Sequence, residues 1–143
     1  MFNCFIANIA LVLIKLRHLA KKYLKLNDID CYRRAFTLSQ DIWQIVLSWD
    51  WFAKKAVGTQ YVTSVDSVSS NIAEGFGRYF KKDKILFYHY SLGSVMESLD
   101  WTQKSWKRGL LSEKQYQHVL KELKALPREI HQLVGFTFAR LEK

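Results

Sequence analysis

The side chains best suited to chemistry are three carboxylates in the middle of the chain, Glu74, Glu97 and Asp100, and four histidines. Glu97 and Asp100 lie three residues apart, a spacing that puts both on one face of a helix, where a pair of acids can hold a metal ion or share a proton. Nothing joins them. A dinuclear carboxylate site in a helical bundle needs Glu-x-x-His on two helices, and this motif is absent. His18, His89, His118 and His131 are scattered, and Cys4 and Cys31 lack the spacing of a metal site or a disulfide framework. Gly75-Phe76-Gly77 lacks the further glycine and lysine of a phosphate loop, and no serine stands in a nucleophile elbow. The residues therefore support no catalytic, metal or cofactor site.

Cations offer more. Arg78, Lys81, Lys82 and Lys84 follow directly on the polar stretch Ser69–Arg78. Lys104, Lys107 and Arg108 form a second group, and Lys114, Lys121, Lys124 and Arg128 are spread further on. Such charges suit contacts to phosphates without base readout, and a helix starting near Lys81 adds backbone donors. An ordinary solvated surface accounts for them equally well. Asn71, Glu74 and Arg78 have two readings as well, a ligand site or a hydrogen-bonded lock on a corner.

Helices must carry these residues. In residues 1–25 Ile6, Ile9, Leu13, Leu16 and Ala20 recur at helical spacing opposite Asn8, Lys15, His18, Lys22 and Lys25, which reads as a basic amphipathic extension for a membrane surface, for packing on a partner or on the domain itself, or as a dispensable addition to the domain. The domain is expected over 26–143. Asn27 or Asp28 caps a first helix from about Ile29 to Trp49, and Lys54, Lys55 and Gly58 fall in a connector. A second helix runs from Gln60 to about Phe76 and ends at Gly75 or Gly77, one of them a candidate for positive φ. The third begins near Phe80 with the seam Ile85, Tyr88, Leu92, Val95, Leu99, Thr102 and Trp106, where Gly93 and Ser94 permit a close crossing, and Gly109 closes it. Ser112 and Gln115 form a capping box for the fourth, with Leu111 and Tyr116 as its staple. Pro127 predicts a kink or two abutting helices. The fold expected is an all-α, antiparallel up-down four-helix bundle.

Composition agrees. The chain has 143 residues, enough for one domain with a true core, and only six Gly and one Pro. A net charge of +9, from 22 Lys and Arg against 13 Asp and Glu, favours an anionic partner. Lys15 cuts the apolar run 4–14 short of the roughly 20 residues needed to span a bilayer, and positive charge follows that run instead of preceding it, unlike a signal peptide. A cytoplasmic protein is expected. Among the aromatic residues, Trp43, Trp49, Trp51 and Trp101 exceed what a small bundle buries, which predicts self-association.

The motif Ser70-Asn71-Ile72-Ala73-Glu74-Gly75-Phe76-Gly77-Arg78 closely resembles the signature of a bacterial four-helix-bundle family encoded in intervening sequences of 23S rRNA genes. Lys81-Lys82-Asp83 is similar to the family's Lys-Lys-Glu, and Gly93-Ser94-Val95-Met96-Glu97 to its Gly-Ser-Leu-x-Glu. The resemblance covers Leu26 to about Arg140. It implies an antiparallel four-helix protomer in ring-like pentamers. Relatives of this fold are the accessory proteins of diversity-generating retroelements, basic rings that bind nucleic acid and associate with a reverse transcriptase. The chain departs from the family pattern at Ser69, where proline is usual, at Val62-Thr63, where a basic pair is common, at Pro127 and in residues 1–25.

The function expected is thus a non-enzymatic nucleic-acid-binding accessory or scaffold protein. Arg78, Lys81, Lys82, Lys84, Lys104, Lys107, Arg108, Lys121 and Lys124 would meet phosphates of RNA or DNA. Asn71, Glu74, Gly75, Gly77 and Glu97 would serve as structural motif residues. The alternative is a homo-oligomer that binds another protein and no nucleic acid.

Overall fold

The computed structural model describes residues 24–140. The amphipathic stretch assigned to 1–25 therefore lies outside the described residues except for Leu24 and Lys25. Four long helices make the fold: α1 Asp30–Leu47, α2 Thr59–Gly77, α3 Lys81–Lys107 and α4 Glu113–Arg140. α1 packs on α2, α2 on α3, α3 on α4, and α4 closes back on α1. Short connectors make each helix antiparallel to the next, so the bundle is up-down and all-α.

The core is drawn from one stripe of each helix. Leu38 and Ile42 of α1, Tyr61, Val65, Val68 and Ile72 of α2, Tyr88 and Val95 of α3, and Val119, Leu123, Leu126 and Ile130 of α4 are all buried. Their steps of three, four and seven are the spacing that brings side chains onto one helix face.

Several boundaries differ from expectation, each for a local reason. Leu26–Asp28 form a 3₁₀ turn, in which Asp28 accepts from the Lys25 N–H at 2.8 Å, and α1 is entered through extended Ile29 with no side-chain cap. The segment holding Lys54, Lys55 and Gly58 is not a loose connector. Asp50 caps a single α turn, Trp51–Ala53, by accepting from the Ala53 N–H at 2.9 Å. A π-helical turn, Lys54–Gly58, then runs straight into α2. α2 ends as the glycine pair predicts, but neither Gly75 nor Gly77 has positive φ; Gly109, at φ 70, is the one described residue that does. Trp49, expected among the surplus aromatics, is buried and stacks on Tyr61 with ring centroids 6.2 Å apart. The capping box is present in both directions, Gln115 N–H to Ser112 Oγ at 3.3 Å and Ser112 N–H to Gln115 Oε1 at 2.8 Å.

Pro127 neither splits nor ends α4, which is assigned as one helix through Arg140. Proline removes the bond that would reach the Leu123 carbonyl. Leu126 and Ile130 on either side of it are fully buried, and this packing keeps both halves on the same core.

The α3 seam is rotated. Its innermost residues are Tyr88, Ser91, Val95, Ser98, Thr102 and Ser105, while Ile85, Leu92, Leu99 and Trp106 flank them half-buried. The hydroxyls of Ser91, Ser98 and Thr102 tolerate burial because they are bonded, whereas Ser105 Oγ is buried without a hydrogen-bond partner among the described residues. Ser91 Oγ donates to the Val68 carbonyl at 2.9 Å, and Ser98 Oγ to that of Ser94 at 2.7 Å, with Ser64 Oγ 3.2 Å away. Thr102 Oγ1 donates to the Ser98 carbonyl at 2.7 Å, which leaves Tyr61 Oη as donor in its 2.8 Å bond to Thr102. Gly93 is exposed, and a Cβ there would meet nothing within 4 Å, so the close crossing belongs to Ser91 and Ser98 rather than to Gly93.

Candidate nucleic-acid interface

The corner between α2 and α3 is built by Gly75. A Cβ at this position would lie 2.7 Å from Tyr88 Cε1 and 2.9 Å from the Lys84 carbonyl oxygen, so only glycine lets the start of α3 come this close to the end of α2. Gly77 faces open space. Arg78, in extended conformation, ends α2 and donates its N–H to the Gly75 carbonyl at 3.2 Å. Lys84 reaches back from α3 and donates Nζ to the Phe76 carbonyl at 2.6 Å, satisfying one of the carbonyls that a helix end leaves unpaired. Burial lowers the Lys84 pKa below the usual lysine value, as expected of an ammonium turned inward. Its charge is spent on the corner.

The other motif residues surround this joint. Glu74 forms an ion pair with Arg78, whose guanidinium lies 4.5 Å over the Phe87 ring. Asn71 Nδ2 donates to Ser94 Oγ at 3.4 Å, tying α2 to α3. Glu97 accepts from Trp101 Nε1 at 3.3 Å on the outer side of α3. Asp100 is ion-paired with Lys104, so the two acids three residues apart on α3 are engaged separately. Among the described residues no group of three or more His, Cys, Asp or Glu has the geometry to hold a metal ion.

The structure spreads the cations over three places. Arg78, Lys81, Lys82 and Lys84 sit at the corner. Lys104, Lys107 and Arg108 sit at the far end of the 27-residue α3, about 40 Å away at 1.5 Å per residue. Lys121 and Lys124 are exposed on α4. Lys81 Nζ donates to the Phe138 carbonyl at 3.3 Å and stands 5.0 Å from that ring, and Lys104 lies 4.6 Å over Trp101. Lys82, Lys107, Arg108, Lys121 and Lys124 point to solvent.

Two features escape sequence reasoning. Arg34 of α1 bridges Glu122 and Glu129 of α4, with Nε 3.0 Å from Glu129 Oε1, and His118 of α4 meets Asp41 of α1 at 2.9 Å. The seven-residue step between Glu122 and Glu129 places both on one stripe, but only the fold reveals which helix supplies the arginine. The second feature is an outward apolar face on α1, where Phe36, Trp43 and Leu47 are each about half exposed. Beside it a groove of about 290 Å³ is lined by Trp43, Val46, Leu47, Gly58 and Val62.

No helix among the described residues is long and apolar enough to cross a membrane. No curated protein matches the chain. A family model described as 23S rRNA-intervening sequence protein matches residues 27–132. That span runs from the turn before α1 deep into α4 and takes in the whole α2–α3 corner, and the chain therefore belongs to the 23S rRNA-intervening sequence protein family.

Proposed function

We propose that this protein is a non-enzymatic nucleic-acid-binding scaffold that works in the cytoplasm as a homo-oligomer. By resemblance to the family's rings the oligomer is a pentamer, and by resemblance to the retroelement accessory proteins its protein partner is a reverse transcriptase. The observation that carries the reading is the set of solvent-facing cations at both ends of α3 and along α4, on a chain of net charge +9. They suit contacts to a phosphate backbone, which require charge and reach but no shaped pocket.

The alternative, an oligomer that binds only protein, draws support from the apolar face at Phe36, Trp43 and Leu47, since exposed apolar patches mark interaction sites. One experiment separates the two. Nuclease-treated full-length protein is titrated with labelled RNA and DNA at increasing salt while its mass is followed by light scattering. Binding at low salt that falls linearly on a log–log salt plot supports the scaffold reading. A stable oligomer that retains no nucleic acid at low salt overturns it in favour of the alternative.

A further inference from the structure

We propose that the α2–α3 corner binds unpaired nucleobases of a single-stranded nucleic acid, with Tyr79 and Phe80 as the stacking platform and Arg78, Lys81 and Lys82 on the adjoining phosphates. This rests on the nucleic-acid reading above and adds to it a place and a strand type.

The connector between α2 and α3 is short, with Tyr79 alone between the C-cap Arg78 and the N-cap Phe80. Turns this tight are ordinarily built from small or polar residues. Here they hold two large rings that the fold does not use, Tyr79 at 84% exposure and Phe80 at 59%. The rings meet edge to face, centroids 5.1 Å apart at 88°, a contact that leaves ring faces open. An aromatic face accepts any unpaired base, and a duplex, whose bases already stack on one another, offers none.

The cations are arranged to match. Arg78 is held over Phe87 and Lys81 over Phe138, so both heads are positioned before any ligand arrives. Lys82 is exposed and makes no ion pair among the described residues. The acids nearby are Glu74, engaged by Arg78, and half-buried Asp83. An exposed cation beside exposed rings, Lys82 with Tyr79 and Phe80, suits a strand that offers both phosphates and unpaired bases.

The test is fluorescence anisotropy with the full-length protein and four labelled 20-nucleotide probes: single-stranded RNA, the same sequence as single-stranded DNA, the duplex, and an abasic strand that keeps the phosphates. The proposal expects one or both single strands to bind about tenfold more tightly than the duplex and the abasic strand. Tyr79→Ala with Phe80→Ala should remove that preference and leave duplex binding within about twofold, while Tyr79→Phe keeps it. Both positions are exposed, so the melting temperature serves as the fold control. Equal binding of all four probes overturns this proposal and leaves the scaffold reading standing, as does an equal loss on every probe in the double variant. No binding of any probe at low salt overturns both.

Discussion

Two seams of the bundle hold by opposite means. Between α2 and α3 the helices come close over Gly75, Ser91 and Ser98, and the buried polar groups are hydroxyls bonded to backbone and to one another. Between α1 and α4 the contact is made by long polar side chains, Arg34 ion-paired with Glu122 and Glu129 and His118 hydrogen-bonded to Asp41, around an open groove of about 550 Å³. Short hydroxyls satisfy themselves against their own helix and let backbones approach. Ion pairs need room, keep partial contact with water and fix register through charge geometry. The seam beside the motif is thus sensitive to volume, and the distant one to charge.

Gly75→Ala is the strongest way to break the first seam. The new methyl would sit 2.7 Å from the Tyr88 ring and 2.9 Å from a backbone oxygen, and such overpacking costs about 1–3 kcal/mol even after the helix-propensity gain of alanine. Gly77→Ala, two residues on, meets nothing within 4 Å and has no positive φ. It should be neutral or stabilise by roughly 0.5 kcal/mol. The urea midpoint should therefore fall for Gly75→Ala and hold or rise for Gly77→Ala, and equal shifts would contradict the close approach at Gly75.

The second seam should answer to charge balance. Arg34→Met strands Glu122 and Glu129, whose side chains are only 19% and 21% exposed, and should cost about 2 kcal/mol, less than for a fully buried pair because water still reaches them. Adding Glu122→Gln and Glu129→Gln to Arg34→Met should recover most of that loss. A triple variant no more stable than the single one would show that packing of the arginine stem, rather than charge, holds this seam.

Alkaline pH acts more gently on both. Burial, with Glu129 adding to it, raises the Cys31 thiol to about 11 from a usual value of 9.0. Burial raises the Tyr61 hydroxyl as well. Both groups are neutral in the native state and ionise more readily once unfolded, so their contribution is complete below pH 9 and is lost as pH rises from 9 towards 11 and beyond. The urea midpoint should fall across that window, and Cys31→Ala should flatten its first part. A flat profile for the unchanged protein would show that Cys31 is not shielded.

Legibility in the sequence followed the range of the interaction. The capping box at Ser112 and Gln115 and the end of α2 at Gly77 depend on neighbours in the chain and could be read directly. The α3 face was legible at Tyr88, Val95 and Thr102 but not at Ser91 and Ser98, which hydropathy scores as polar and which bonds to a neighbouring helix and to a preceding carbonyl let sit innermost. Cation clusters were visible as sequence, but that Lys84 turns inward to the Phe76 carbonyl, and that Arg34 finds two acids on α4, depends on contacts between residues far apart in the chain or across a corner. Those distances are not written in any local pattern.

The π turn at Lys54–Gly58 carries a consequence of its own. Such a turn holds one residue more than an α turn, and each α-helical residue advances about 100° around the axis. Trp51 and Phe52, 71% and 72% exposed at its head, are therefore set out of phase with α2 by roughly one residue's rotation. Removing a single residue from this stretch would swing that aromatic tip around the bundle while α2 kept its grip on the core. Here an insertion or deletion, more than a substitution, is the coarse dial that sets which way the molecule faces.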